Sequence, residues 1–309
     1  MSDETSDLIA QFMGDGVPSS VDEMRSMLDQ LGSFLNVDLP EVGAFHEAVP
    51  VCEGVTADVV VPKGEGPHPV LVYLHGGGWI CGSPISHRKL GYRFAEAGFL
   101  VLNIDYRMAP EHPFPTPFDD CLEALRWAHA ECGRFGGDPA RMAVGGDSAG
   151  GNLSAAAAAA LQGDPACPKA ALLIYGVFDF AGLLGLHVGE TTQSAGNSGD
   201  AVQGEAEAAM TELMMEAYLG SEHREERFLD PHVSPIHVAS KLPPSHIVCG
   251  TADGLLSQSK ALRSILEESG VAHEYFEDEG MPHGYVQMEF LPPAVAAIDR
   301  MIDFLRRTL

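Results

Sequence analysis

Basic residues are scarce in this 309-residue chain, in which 18 lysines and arginines stand against 44 aspartates and glutamates. The formal charge of −26 at pH 7 argues against nucleic acids and anionic lipid surfaces as partners, because both attract cationic protein surfaces. No stretch approaches the roughly 20 consecutive apolar residues that a membrane-spanning helix requires. The acidic start, Met1–Thr5, also lacks the cationic and apolar regions of a secretory signal. These absences predict a soluble, acidic, cytoplasmic protein.

Cysteine is also infrequent, and none of the six cysteines belongs to a C-x-x-C pair. They are scattered between positions 52 and 249, which argues against both a zinc knuckle and a disulfide scaffold. Reduced and mostly buried thiols are the simpler interpretation for a cytoplasmic chain. The sequence has neither a metal-ligand spacing nor a phosphate-binding glycine loop, so it predicts no metal and no cofactor.

The hydrophobic patterns divide the chain into a short N-terminal part and a longer alternating part. Residues 1–45 are predicted to be helical, because apolar side chains recur at helical spacing after a capping pair, Ser19 and Ser20. From about residue 55, strands alternate with helices, and inner strands such as Val70–Leu74 are apolar throughout. Such strands are typical of a parallel sheet covered by helices on both faces. We therefore predict an α/β domain over residues 46–309.

One long stretch, residues 181–228, interrupts this alternation. It contains a Gly/Ser/Thr/Glu-rich tract over residues 189–207, whose composition favours a flexible loop, and then a helix-like segment over residues 208–218. One face of that segment carries apolar side chains: Met210, Leu213, Met214 and Tyr218. An insertion of this length between two strands is typical of either a functional lid or a loose loop.

The serine within Gly146–Gly151 is the first candidate for chemistry. Residues 142–145 favour a strand, and the alanine-rich segment Asn152–Leu161 favours a helix. A G-x-S-x-G sequence between a strand and a helix places the serine hydroxyl on a sharp, exposed turn. The turn also directs the N–H of Ala149 and the positive end of the helix to the same place. Ser148 is therefore the predicted nucleophile.

A serine hydroxyl needs a general base, and the base needs a carboxylate that orients it. Where the serine stands on a strand-to-helix turn of this kind, the partners follow in the order Ser, Asp or Glu, His. Asp253 comes soon after the predicted strand His246–Gly250, although a turn or helix-capping role would also suit it. His283 lies in a loop before the last helix and is the only histidine after His273. These positions predict a triad of Ser148, His283 and Asp253.

Three successive glycines characterise a second motif, His75–Trp79. Successive glycines let backbone N–H groups approach a ligand closely, since no Cβ stands in the way. Together with residues 106–115 (Tyr-Arg-Met-Ala-Pro-Glu-His-Pro-Phe-Pro) and Gly146–Gly151, this motif resembles the bacterial hormone-sensitive-lipase family of carboxylesterases. Residues 230–235 and 280–285 match as well, and the likeness runs from about position 45 to the C-terminus.

The resemblance implies an α/β-hydrolase fold, with a mostly parallel central sheet flanked by helices. It assigns an oxyanion hole to the N–H groups of Gly77, Gly78 and Ala149. It also implies that residues 1–45 and the insertion near 181–228 form a helical cap over an acyl pocket. The cap would give both the unpartnered N-terminal helix and the lid-like insertion a place in the fold.

The other residues around these motifs are expected to have structural roles. His75, Gly76 and Trp79 are expected to shape the oxyanion loop, and Asp147 to be a hydrogen-bonding neighbour of the serine rather than a second acid. The family usually has Asp-Pro-Leu-x-Asp at the acid, whereas this chain has Asp-Gly-Leu-Leu-Ser at residues 253–257. This departure leaves open which groups support the acid.

The resemblance implies an esterase, and the charge of −26 favours neutral short- to medium-chain esters because it repels anions. Two alternatives stay open. The same triad could serve an amidase or deacetylase, since the acylation chemistry is shared. Some relatives with this fold have lost catalysis and bind small ligands as receptors, although they typically lack the histidine that is present here as His283. The likeness also allows a homodimer that pairs through the edge strand near residues 272–277.

Overall fold

The computed structural model describes residues 18, 20–184, 201–222 and 224–309, with residues 201–207 described as backbone only. Eight strands lie in this part of the chain: β1 (Ala44–Cys52), β2 (Val55–Val61), β3 (His68–Leu74), β4 (Leu100–Asp105), β5 (Gly137–Asp147), β6 (Ala170–Ile174), β7 (Ser245–Gly250) and β8 (His273–Asp278). They form one sheet with the order β1-β2-β4-β3-β5-β6-β7-β8.

The sheet is antiparallel at one edge and parallel elsewhere. β2 pairs antiparallel with both β1 and β4, and the five other pairs are parallel. In the middle, Leu74 of β3 lies opposite Ile104 of β4 on one side and Gly146 of β5 on the other. Since the carboxyl ends of parallel strands meet at one edge, the loops after β3, β5, β7 and β8 come together there. The predicted α/β architecture is confirmed.

Nine α-helices accompany the sheet in the described residues: α1 (Val21–Leu35), α2 (Arg88–Glu96), α3 (Thr116–Glu131), α4 (Ala149–Ala160), α5 (Phe180–Leu183), α6 (Ala201–Leu219), α7 (Arg224–Arg227), α8 (Leu256–Ser269) and α9 (Pro292–Thr308). Short 3-10 turns lie at Cys132–Phe135, Pro235–Lys241 and Tyr285–Gln287. None of the helices in the described ranges combines the length and the apolar composition needed to cross a membrane.

The inner strands are apolar throughout because both of their faces are buried. In β3, Val70, Val72 and Leu74 belong to one hydrophobic cluster, whereas Leu71 and Tyr73 belong to another on the opposite face. Successive side chains of a strand point to opposite faces, so a sheet with helices on both sides needs apolar residues at every position. The two clusters hold the carboxyl ends of these strands, and therefore the loops that follow them, in place.

The sheet begins earlier than the sequence indicates, with β1. Several of its side chains are exposed, and the strand contains Pro50 and a positive φ of 51° at Ala48. Such irregular, half-exposed strands occur at sheet edges, and they lack the apolar run that identifies an inner strand. The predicted strands Val70–Leu74, 142–145 and His246–Gly250 lie within β3, β5 and β7, although β5 already starts at Gly137. The predicted boundary near residue 45 coincides with the start of β1.

Helix α1 is present, as predicted within residues 1–45, and begins after Ser20, whose hydroxyl accepts the N–H of Glu23 at 3.2 Å. Ser19, the other predicted capping residue, lies outside the described residues. Met24 and Leu35 are the large apolar side chains of α1 that are buried. The helix thus packs one apolar face against the rest of the protein.

One arginine of α1 contacts two loops of the α/β domain. Arg25 donates from Nε to the carbonyl of Ile80 at 2.8 Å and from Nη2 to the carbonyl of Ala109 at 3.1 Å. It also forms a two-pronged ion pair with Glu111, at 2.8 and 2.7 Å. Ile80 directly follows the predicted oxyanion loop, so Arg25 connects the N-terminal helix to that loop.

The insertion contains the predicted helix, but the helix starts earlier than expected. α6 begins at Ala201, so the last seven residues of the tract 189–207 are helical rather than a loop. Alanine, glutamate and glutamine predominate there, and all three are good helix formers. The rest of that tract, residues 189–200, lies outside the described residues. The predicted apolar face of α6, including the buried Tyr218, packs into the core as expected.

Candidate active site

Ser148 lies on the turn between β5 and α4 in a strained backbone conformation, with φ 53° and ψ −118°. A non-glycine residue rarely adopts a positive φ, and the packing around the turn has to compensate for it. The neighbouring glycines allow that packing. A Cβ on Gly150 would lie 1.9 Å from the carbonyl oxygen of Leu74, and one on Gly146 would lie 2.4 Å from the same atom. The turn therefore presses against β3 and directs the serine side chain outward.

The structure brings the three predicted triad residues into one chain of hydrogen bonds. The Ser148 hydroxyl lies 2.9 Å from His283 Nε2, and His283 Nδ1 lies 2.8 Å from Asp253 Oδ2. Because the carboxylate accepts the proton on Nδ1, Nε2 is left free to accept the serine proton. The histidine side chain is 42% exposed and the aspartate side chain 1% exposed. The base is thus accessible from the surface while its orienting acid is buried.

The environment of His283 shifts its affinity for protons in two opposing ways. Burial disfavours the charged imidazolium, whereas the charge and the hydrogen bond of the Asp253 carboxylate favour it. The attraction outweighs the burial, and the pKa of His283 is raised above its ordinary value of 6.5. A raised pKa makes the imidazole a stronger base toward the serine.

Asp253 is supported by backbone groups rather than by the residues in which this chain departs from the family motif. Its Oδ1 accepts the N–H of Leu255 at 2.8 Å, and its own N–H donates to the carbonyl of Gly250 at 3.3 Å. A Cβ at Gly254 would meet no atom within 4 Å, so this position does not require a glycine. The Asx-type turn after β7 holds the carboxylate without the proline and second carboxylate of the usual motif.

The predicted oxyanion loop follows β3 and passes close to the serine turn. Gly77 and Gly78 both have positive φ values, 122° and 60°, and Trp79 follows with 62°. A Cβ on Gly77 would lie 2.1 Å from the carbonyl of Cys81, so only glycine fits this tight turn. Within the described residues, the N–H groups of Gly77, Gly78 and Ala149 donate to no protein acceptor. These three backbone N–H groups are therefore available to a ligand.

Comparison with known proteins assigns the chain to a family. The sequence profile of a family described as alpha/beta hydrolase fold matches residues 71–287, more than two thirds of the chain. The chain belongs to the α/β-hydrolase fold family. The fold predicted from the motifs is thereby confirmed.

Solved structures resemble this α/β-hydrolase over nearly its whole length. An esterase of Pyrobaculum calidifontis is 26% identical, with a TM-score of 0.85, and the match covers 99% of this chain and 98% of that one. An esterase from the bacterial hormone-sensitive lipase family is 29% identical, with a TM-score of 0.77 and coverage of 99% and 97%. The resemblance to that family, drawn from the motifs, is confirmed.

The curated relatives match over shorter segments. An ethyl acetate hydrolase of Pseudomonas putida is 35% identical over 207 residues, which are 65% of this chain and 61% of that protein. In all, this α/β-hydrolase spans between 28% and 61% of the length of four curated relatives that it matches.

The residues predicted to shape the oxyanion loop make different contacts. His75 stacks on Tyr106 with ring centroids 4.3 Å apart, and its Nδ1–H donates to the carbonyl of Gly76 at 2.9 Å. Burial and the neighbouring imidazole of His87 lower the pKa of His75 to about 3, so the ring is neutral. Trp79 stacks on Tyr218 of α6, at 4.6 Å, which joins the loop to the insertion.

Asp147 is placed below the serine turn and away from the triad contacts. Its carboxylate accepts the Gly76 N–H at 3.1 Å and the Tyr73 hydroxyl at 2.9 Å. Burial alone would raise its pKa, but the imidazole of His87 and the hydroxyl of Tyr73 lower it to about 2. The residue is ionised and accepts a hydrogen bond from the backbone of the loop after β3.

Three residues near the site were not predicted from the sequence. The ring of Tyr175 lies 4.8 Å from that of His283 and its φ is positive, at 35°. His87 and Gln287 contact the Asp147 carboxylate. None of these three residues lies within a quoted motif. Their positions near the site follow only from the tertiary structure. Within the part of the chain that the structure describes, no group of three His, Cys, Asp or Glu residues could hold a metal ion.

Proposed function

We propose that this α/β-hydrolase is a serine carboxylesterase that hydrolyses short- to medium-chain neutral carboxylic esters. The observation that carries the proposal is the hydrogen-bonded series Ser148–His283–Asp253, together with three backbone N–H groups that have no acceptor among the described residues. A nucleophile, an oriented base and an oxyanion site are the three parts that acyl transfer requires. The names of the similar proteins, an ethyl acetate hydrolase and several esterases, support the same reaction class.

The proposed reaction has two stages. His283 Nε2 accepts the proton of Ser148 as Oγ attacks the ester carbonyl, and the same nitrogen then gives the proton to the departing alcohol. This step leaves the acyl group on the serine oxygen. Water attacks the acyl-enzyme with His283 again as the base, which releases the acid and restores the hydroxyl. Asp253 keeps the proton on Nδ1 and stabilises the imidazolium that forms between the transfers.

The oxyanion formed at each attack is assigned to the N–H groups of Gly77, Gly78 and Ala149. Because these donors have no protein acceptor in the described residues, their hydrogen bonds can be made when charge develops on the substrate oxygen. The positive end of α4 adds to the same field. Each donor is expected to lower the barrier by about 3–4 kcal/mol.

The surroundings of the oxyanion loop favour small, uncharged substrates. Met214 of α6 lies so close to Gly78 that a Cβ on the glycine would be 2.1 Å from its sulfur. Phe180 lies beside Trp79, with ring centroids 5.2 Å apart. The apolar side chains beside the loop leave little space next to Gly78, and a net charge of −26 repels anionic esters. Together they support a short acyl chain and a neutral alcohol.

We also propose that residues 1–45 and the insertion 181–228 form the cap over the acyl pocket. The contacts of Arg25 with the loop after the oxyanion glycines support a cap role for α1. The stacking of Tyr218 on Trp79 supports the same role for α6. The two segments assigned to the cap thus contact Trp79 and the residue after it.

The function is tested with matched esters and amides of graded acyl length, from acetyl to octanoyl, together with an alkyl phosphonate that labels active serines. We expect turnover of acetyl to hexanoyl esters, much slower turnover of the amides, and one phosphonate per chain, located on Ser148 by peptide mass spectrometry. Amides turned over as fast as esters would instead identify an amidase or deacetylase. Binding of small ligands without turnover and without a phosphonate adduct would identify a receptor.

A second prediction concerns the acid side of the pH profile. Only neutral His283 can accept the serine proton, so kcat/KM is expected to fall as the pH falls through the pKa of this residue. Since Asp253 raises that pKa above 6.5, the half-maximal point should lie above pH 6.5. In Asp253→Asn, the remaining kcat/KM should fall to half its maximum at a lower pH than in the wild type. The assignment is contradicted if kcat/KM of the wild type is half-maximal below pH 6.5. It is also contradicted if Asp253→Asn leaves this pH unchanged.

A further inference from the structure

Four protein groups surround the carboxylate of Asp147, the residue before Ser148. Oδ1 accepts the N–H of Gly76 at 3.1 Å and the hydroxyl of Tyr73 at 2.9 Å. Oδ2 accepts the amide of Gln287 at 3.2 Å, and Nε2 of His87 lies 3.1 Å from Oδ1. The side chain is 5% exposed, so these protein groups take the place of water around the charge.

The partners come from separate loops that each carry part of the proposed machinery. Gly76 belongs to the oxyanion loop after β3, and Asp147 itself ends β5 directly before Ser148. Gln287 follows His283 by four residues and ends the 3-10 turn Tyr285–Gln287. Both residues lie in the segment between β8 and α9, which we call the histidine loop. One carboxylate therefore contacts the loop of the oxyanion donors, the loop of the nucleophile and the loop of the base.

His87, directly before the first residue of α2, is oriented for this contact by its own loop. Its Nδ1 lies 2.8 Å from the Ser86 hydroxyl, so a hydrogen bond joins the ring to the residue before it. Nε2 then faces Asp147 and lies 2.7 Å from the amide nitrogen of Gln287. With both ring nitrogens engaged and 2% of the side chain exposed, the imidazole has a single orientation.

We propose that His87 and Gln287 are positioning residues, which act through Asp147 to hold the oxyanion loop and the histidine loop in register with Ser148. The inference rests on the proposed esterase function and extends it to two side chains that do not touch the reacting atoms. An oxyanion donor is effective only within about 2.7–3.1 Å of the charge it stabilises, so a small displacement of the loop lowers the rate.

The contacts explain why both residues are needed. The carboxylate of Asp147 anchors Gly76, whose neighbours Gly77 and Gly78 supply the proposed donors. Without His87 or Gln287, a buried charge loses a partner and is expected to move toward the remaining donors or toward water. Either movement displaces Gly76 relative to the serine. Substrate binding depends much less on this alignment, so KM should change little.

The test uses His87→Phe, His87→Gln and Gln287→Leu, with His246→Phe as the matched control. His246 is a fully buried histidine of β7 that stacks on Phe276, away from the Asp147 contacts. For each variant, kcat and KM are measured with p-nitrophenyl acetate. The inhibition constant of a trifluoromethyl ketone, which forms a tetrahedral adduct with an active serine, and the Tm are measured in parallel.

We expect His87→Phe and Gln287→Leu to lower kcat by about 10- to 100-fold, with KM within twofold of the wild-type value. The ketone should bind more weakly by the factor by which kcat/KM falls, because it mimics the tetrahedral state. His87→Gln, whose amide reaches about as far as Nε2, should regain most of the rate. His246→Phe should keep the wild-type kcat, whatever its Tm.

Two results would overturn the proposal: a kcat within twofold of wild type in both Gln287→Leu and His87→Phe, or a loss of kcat that follows Tm equally in those variants and in His246→Phe. Gln287 is only partly buried, so its variant is expected to fold even if His87→Phe does not. A wild-type protein without esterase activity would overturn the proposed function, and this inference with it. An active wild type with unaffected variants would overturn this inference alone.

Discussion

Replacing Ser148 with alanine is expected to lower the hydrolysis of p-nitrophenyl acetate by about 10⁴- to 10⁶-fold. The variant keeps His283, Asp253 and the oxyanion donors, but it has no oxygen that can attack the ester. The remaining rate would come from water acting on a substrate held in the site. Initial rates at saturating substrate, together with loss of the phosphonate adduct, measure the effect. A variant still within tenfold of the wild-type rate would falsify the assignment.

The control for this prediction is Ser154→Ala. Ser154 lies on α4 six residues after Ser148, and it is fully buried. Its hydroxyl has no hydrogen-bond partner in the described part of the chain, so its removal should leave kcat within twofold of wild type. Loss of activity in both variants would point to damage of α4 rather than to loss of a nucleophile.

The second large effect is expected from Gly150→Ala, which adds one methyl group. That group would lie 1.9 Å from the carbonyl oxygen of Leu74 and 2.7 Å from that of His75. Both atoms belong to the backbone at the end of β3, so neither can rotate away. We expect the free energy of unfolding to fall by roughly 3 kcal/mol. For a chain of 309 residues, Tm should fall by roughly 5 °C.

Gly133→Ala is the matched control, because a Cβ at Gly133 would meet no atom within 4 Å. Its Tm should be unchanged or slightly raised, since alanine restricts the unfolded chain more than glycine does. Thermal unfolding followed by circular dichroism compares the two variants. If Gly150→Ala were as stable as Gly133→Ala, the close approach of α4 to β3 would be refuted.

The parts of the site predicted from the sequence are those whose physical constraints are local. A strained serine turn needs small neighbours, and Gly146 and Gly150 stand beside it in the sequence. A tight loop with positive φ needs glycines, and Gly77 and Gly78 are consecutive. The order of serine, acid and base follows from strand order in the fold. The glycine requirements of the turn and the loop are therefore visible within a few residues of the sequence.

The parts that were missed depend on contacts between distant segments. His87 lies 60 residues before Asp147, and Gln287 lies 140 residues after it. Neither residue has a local pattern that distinguishes it from a surface histidine or glutamine. β1 was missed for a different reason, because a half-exposed edge strand needs no continuous apolar run. Such features follow only from the assembled tertiary structure.

The stacked rings of Trp79 and Tyr218 connect substrate choice with reaction rate. Trp79 comes directly after the last glycine of the oxyanion loop, and Tyr218 is near the end of α6 in the insertion. If α6 shifted to admit a bulkier ester, the indole would lose its partner and the adjacent amides would change direction. Variants selected for larger substrates should therefore turn over every ester more slowly, unless a second substitution restores the contact.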